Sequence, residues 1–216
     1  MISKNSLKLF INQFLRKFDL SLERYSYLEK FEGLNIPKLQ ADRKFIDDFG
    51  LIQNLRNKKD AEIFLEYVPY SKSQQHQDLF VLTELGFMKN GFFVEFGATN
   101  GIDYSNSYLL EKKFNWNGIL AEPCSIWHRE LIKNRKVNIE KNCIWKESGI
   151  ILNFKETKEP EYSTIDKYAN FDNHGPTRKN FKKYEVSTLS LLDLLDKYNA
   201  PRIIEYLSID TEGSEY

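Results

Sequence analysis

The chain has 216 residues, enough for one domain of ordinary size with a small appendage, and its 41% hydrophobic, 29% charged composition is that of a globular protein. Lysine plus arginine (31) equals aspartate plus glutamate (31), so no global field favours nucleic acid or an anionic membrane, and no nucleic-acid partner is expected. No stretch approaches the roughly 18 consecutive apolar residues that cross a bilayer, and Lys8, Arg16 and Lys17 interrupt any leader, so the sequence reads as cytoplasmic with no membrane span.

Two cysteines, Cys124 and Cys143, make neither a disulfide framework nor a metal-type CxxC spacing, and read as small buried hydrophobes in a reducing compartment. The first ninety residues read as helical, with 1–70 taken as an N-terminal extension. Leu7, Phe10, Ile11, Phe14, Leu15 and Phe18 recur at i, i+3, i+4 and i+7, which gives one apolar helix face. Leu22, Tyr25, Leu28 and Phe31 continue that period up to Gly33. A third stretch carries Phe45, Ile46, Phe49, Ile52 and Leu55, and residues 61–68 add a short fourth before Pro69.

From Ser73 the texture changes. Residues 78–85 form an apolar helix face ended by Gly86, and 92–96 are a strand without polar alternation, the mark of a parallel strand buried on both faces. Helix is expected at 104–114, strand at 118–122, helix at 126–134, strand at 137–145 and a short strand at 150–154. Residues 156–185 are polar, hold Pro160, Gly175 and Pro176, and read as a long loop. Ser187 or Thr188 is expected to cap a helix through Tyr198, and 203–209 is again a buried strand. Strands alternating with helices predict an α/β domain over 71–216 with one parallel sheet and right-handed crossovers.

Ligands of such sheets sit outside the carboxyl ends of the strands. Three strand ends here carry suitable residues. The first is Glu95-Phe96-Gly97-Ala98-Thr99-Asn100-Gly101, whose glycines let a ligand approach the backbone closely. The helix opening near Ser105 points free N–H groups into the same space. The second is Glu122, 21 positions after Gly101, at the offset where a carboxylate accepts both hydroxyls of a ribose. The third is Asp210-Thr211-Glu212, acids beside the first turn. The order G-x-x-x-G lacks the middle glycine of a dinucleotide turn, which argues against a pyrophosphate and suits an adenosyl ligand without one. Glu95 stands where it would bind the ammonium of a methionine moiety, or else cap the helix.

Residues 92–123, FFVEFGATNGIDYSNSYLLEKKFNWNGILAEP, resemble the core of the FkbM family of S-adenosylmethionine-dependent methyltransferases. Ser73-Gln74 with QDLFVL at 77–82, Thr188-Leu189 and the final LSIDTEGSEY resemble further elements of that family in the same order, so the likeness covers residues 73–216. It implies a Rossmann-like class I methyltransferase sheet and O-methylation of a sugar or other hydroxyl-bearing acceptor, a small molecule or glycan. By the same resemblance Glu95, Gly97, Ala98, Asn100 and Gly101 form the S-adenosylmethionine turn, with Ser105 and Asn106 opening the helix beneath it. Glu122 holds the ribose, and Ile144 and Trp145 lie where adenine stacks, though a Trp there is equally a core residue. Asp210 and Glu212 would then face the methyl group and acceptor. Either would serve as the base that a hydroxyl nucleophile needs, or would hold a divalent metal ion. Of the histidines His76, His128 and His174, the last is the best candidate for an acceptor contact.

A complete class I sheet has further strands beyond 203–209, so the chain reads as a fragment. The expectation is a sheet incomplete at its C-terminus, finished by oligomerisation or by a complementing C-terminal chain. The competing functions are a nicotinamide-dependent oxidoreductase or epimerase, and a truncated, non-catalytic binding protein.

Overall fold

The computed structural model describes residues 58–169 and 176–211, and the expected helices before residue 58 lie outside them. The chain divides into two compact units, Met1–Glu62 and Ile63–Tyr216. All the described strands belong to the second unit.

Five helices and eight strands appear among the described residues. The helices are α1 (Lys58–Tyr67), α2 (Gln77–Glu84), α3 (Tyr108–Phe114), α4 (His128–Asn134) and α5 (Leu191–Lys197). The strands are β1 (Phe92–Phe96), β2 (Asn117–Ala121), β3 (Asn138–Glu140), β4 (Cys143–Trp145), β5 (Ile151–Thr157), β6 (Thr164–Ile165), β7 (Phe181–Ser190) and β8 (Tyr206–Ile209). The result is a mixed α/β fold with a parallel sheet.

The first sheet runs in the order β3-β2-β1-β8, all parallel, with β1 central. Its two inner strands, β1 and β2, are buried on both faces because helices cover both. Val94 and Phe96 on one face of β1, with Ile119 and Ala121 of β2, pack against Leu194 of α5. Phe93 and Glu95 point to the opposite face, as the period of two requires. There Leu109, Leu110 and Leu131 of α3 and α4 are also fully buried.

A second sheet, ordered β4-β7-β5-β6, departs from the expectation of one sheet. The expected strand at 137–145 divides at Lys141-Asn142, whose N–H groups both turn back to the Glu140 carboxylate at 2.8 and 2.9 Å. Its first half joins the parallel sheet and its second half joins the other. The two ends of the polar stretch at 156–185 are sheet rather than loop: β5 and β7 pair antiparallel from Ile151↔Ser187 to Thr157↔Phe181. Thr188 lies within β7, so the helix cap moves to Ser190, whose hydroxyl accepts the Asp193 N–H at 3.1 Å. The strand expected over 203–209 begins only at Tyr206 and is not buried on both faces, since Leu207 and Ile209 are exposed. Among the described residues β8 is an edge of its sheet.

Candidate functional site

The carboxyl ends of β1, β2 and β8 open on one cavity of about 150 Å³, closed on its far side by residues of the second sheet and the short helix at Pro160–Tyr162. Gly97, Asn106, Glu122 and Asp210, expected at the ligand from the sequence, all line it. So do Phe96, Thr99, Tyr104, Cys124, Trp127, Ile144 and Phe154, which give it a largely apolar wall.

The turn after β1 is shaped by close approach. Gly97 has φ +79°, and a Cβ there would overlap the carbonyl oxygen of Asp210, so only glycine lets the ends of β1 and β8 meet. The Asp210 N–H in turn donates to the Phe96 carbonyl at 3.3 Å. Asn100 bends the next residues: its Oδ1 accepts the N–H groups of Ile102 and Asp103, each at 2.9 Å. Gly101, φ +80°, passes against the side chains of Leu131 and Arg135. Ala98, Asn100 and Gly101 therefore build the turn from behind and do not line the cavity.

Glu122 closes β2 and is 5% exposed. Its Oε2 accepts the Thr99 N–H and its Oε1 the Cys124 N–H, both at 2.8 Å. The carbonyl of Glu122 is held by the His128 ring at 2.8 Å, which fixes the backbone beneath the carboxylate. Burial pushes its pKa up to about 7, against those two N–H bonds and with a further push from the negative charge of Glu95. Burial likewise raises the thiols of Cys124 and Cys143 to about 12, so both stay protonated and inert.

Glu95 does not reach the cavity. Its carboxylate accepts the Asn106 N–H at 2.7 Å, the Ser105 hydroxyl at 3.1 Å and the Ser107 hydroxyl. Ser107 stands at the N-cap of α3 but gives its hydroxyl to Glu95. Ser105 takes over the cap, its Oγ accepting the N–H groups of Ser107 and Tyr108. Glu95 and Ser105 thus organise a helix start behind the turn, the capping role that was the other expectation for Glu95. Trp145 is also away from the cavity, packed with Tyr168 at 5.8 Å in the core of the second sheet. Its neighbour Ile144 is the one that lines the wall. Glu212 and His174 lie outside the described residues.

The residue that the sequence does not single out is Arg135, at the end of α4. Its buried guanidinium donates to the Gly101 carbonyl at 3.1 Å, to Ser105 Oγ at 3.0 Å and to Ser107 Oγ at 2.9 Å, and pairs with Glu111. In the upstream SQ…QD element Ser73 and Asp78 are structural, whereas Gln74 lines the cavity. Ser73 donates to the Ser105 carbonyl at 3.2 Å, and buried Asp78 accepts from Ser71 at 2.6 Å. Among the described residues no group of three or more His, Cys, Asp and Glu is arranged to hold a metal.

The methyltransferase FkbM domain model matches residues 95–216, more than half of the chain. The chain belongs to the FkbM methyltransferase family. No curated protein and no solved structure matches it. The match begins at Glu95 and runs through the glycine turn, Glu122, the second sheet and β8. Every described wall of the cavity except Gln74 therefore falls inside the methyltransferase domain. No helix among the described residues is long and apolar enough to cross a membrane.

Proposed function

We propose that this FkbM domain binds S-adenosylmethionine in the cavity, on a Rossmann-like class I sheet, and O-methylates a hydroxyl-bearing small molecule or glycan such as a sugar. The observation that carries the reading is Glu122, a buried carboxylate at the end of the strand beside the glycine turn, lining the same cavity as Gly97. A ribose offers two adjacent hydroxyl donors, and one carboxylate accepts both. Gly97 lines the cavity without a side chain, which suits a ligand lying directly on the backbone. Apolar Trp127, Ile144 and Phe154 suit the flat adenine.

The bound cofactor would supply an already activated methyl group, so the protein's work is alignment of the acceptor and removal of its proton. Asp210, a residue of the cavity wall whose backbone carbonyl lies against Gly97, would receive that proton or hold a divalent metal. Calorimetry of the full chain with S-adenosylhomocysteine and with NAD tests the cofactor; tight NAD binding with no S-adenosylhomocysteine signal overturns the reading. Transfer of labelled methyl to hydroxyl acceptors, with and without a chelator, tests the chemistry. There Asp210→Asn is expected to lower the rate at least about 100-fold while leaving S-adenosylhomocysteine affinity within a few-fold.

A further inference from the structure

Among the described residues, one buried side-chain oxygen or nitrogen lacks a hydrogen-bond partner, and it is Oδ1 of Asn106. The residue is 7% exposed and lines the cavity. Its other polar groups are committed: the backbone N–H to Glu95 at 2.7 Å, and Nδ2 to the Ser208 hydroxyl of β8 at 3.0 Å. With Nδ2 on Ser208, Oδ1 is the one polar atom of the side chain left without a partner. An unmet buried acceptor costs about 1–3 kcal/mol. Such a group is retained where a donor arrives with a ligand.

The position identifies the donor. Along the strand ends the order is β2, β1, β8. Glu122 closes β2, Gly97 follows β1, and Asn106 is tied to β8 through Ser208. A ligand whose ribose rests at Glu122 and which lies over Gly97 therefore ends beside Asn106. In S-adenosylmethionine the group at that end, beyond the sulfur, is an amino acid, and its only strong donor is the α-ammonium.

Resting on the proposed cofactor, we infer that Asn106 Oδ1 accepts a hydrogen bond from the ammonium of the methionyl moiety. Glu95, the carboxylate one would choose from the sequence, acts one step removed: its oxygens hold Asn106 and the start of α3 in place. Glu95 is thus a positioning residue, and the ligand contact is made by a neutral amide.

The test compares S-adenosylhomocysteine with its analogue lacking only the amino group, by calorimetry on the full chain. The wild type is expected to prefer S-adenosylhomocysteine by about ten-fold or more, the usual worth of a hydrogen bond to a charged group. Asn106→Leu is expected to abolish that preference by weakening S-adenosylhomocysteine alone. Asn106→Asp, which keeps an acceptor at the same place, is expected to retain it. Equal binding of the two ligands by the wild type overturns the inference without any variant and leaves the cofactor reading standing. Equal weakening of both ligands in Asn106→Leu also overturns it, since that marks a structural role. A wild type that binds neither ligand removes the cofactor reading and the inference with it.

Discussion

Arg135 stands 4.0 Å from the Glu95 carboxylate, and the two side chains are 0% and 2% exposed. The pair joins β1 to the end of α4, and Phe93, two residues before Glu95 on the same strand face, lies under the guanidinium at 5.6 Å. Burial alone pushes the Glu95 pKa up; Arg135, the two serines and the Asn106 N–H oppose it. Removing the arginine strands a buried carboxylate and releases the Gly101 carbonyl and two serine hydroxyls at once. Arg135→Met is expected to lower stability by about 3–5 kcal/mol in denaturant unfolding, the usual loss when one partner of a buried pair is deleted. Lys133→Met, just before it in α4 and exposed, serves as the comparison. Equal losses in the two variants would sink the idea that the network holds the turn.

Gly97 and Gly149 separate two costs that glycine avoids. Both have positive φ, +79° and +80°, so alanine at either carries the same backbone strain. At Gly149 a Cβ would meet nothing within 4 Å, whereas at Gly97 it overlaps the Asp210 carbonyl. Gly97→Ala is therefore expected to destabilise by about 1–3 kcal/mol more than Gly149→Ala, the overpacking increment. It should also lower S-adenosylhomocysteine affinity, which Gly149→Ala leaves unchanged. Matching unfolding midpoints for the two variants would show that β8 yields freely and that the approach is not tight.

The strand ends were legible because each combines an apolar run with a residue that such runs rarely carry: Gly97, Glu122 and Asp210 all came to one cavity. The two glutamates show where legibility stops. Glu95 and Glu122 look alike as acids at the close of buried strands. What separates them is two positions of register: Glu95 pairs with Leu120 inside the sheet and gives its carboxylate to the start of α3, while Glu122 lies beyond Ala121, the last paired residue of β2, and lines the cavity. Arg135 was invisible for another reason. A basic residue in the last turn of a helix is ordinary, and nothing local distinguishes it from Lys133 or Lys136; its burial is created by Gly101, which gives it room. The second sheet was hidden by the polarity of β7, whose first residues, Phe181 to Lys183, are exposed, so the run lacks the apolar pattern that marks a buried strand.

Glu122 makes the site sensitive to pH, and the sign follows from its raised pKa. The native carboxyl titrates at about 7 against an ordinary 4.5, so between those values the folded chain holds more protons than the unfolded one. Stability contributed by this group is fully present below pH 4.5, declines as pH rises and is lost above about 7. The full span is roughly 3 kcal/mol. Glu122→Gln removes the ionisable group, so its stability relative to wild type should improve between pH 5 and 8 by most of that amount in denaturant unfolding. Ligand binding runs the other way. Two ribose hydroxyls need the carboxylate as acceptor, so S-adenosylhomocysteine affinity should fall towards ten-fold per unit as pH drops below about 7, with proton release on binding seen as a buffer-dependent heat. Glu122→Gln should bind weakly and with no such dependence. A wild-type affinity flat from pH 5.5 to 8 would mean that the ligand does not use Glu122 as an acceptor, however well the cavity is shaped for it.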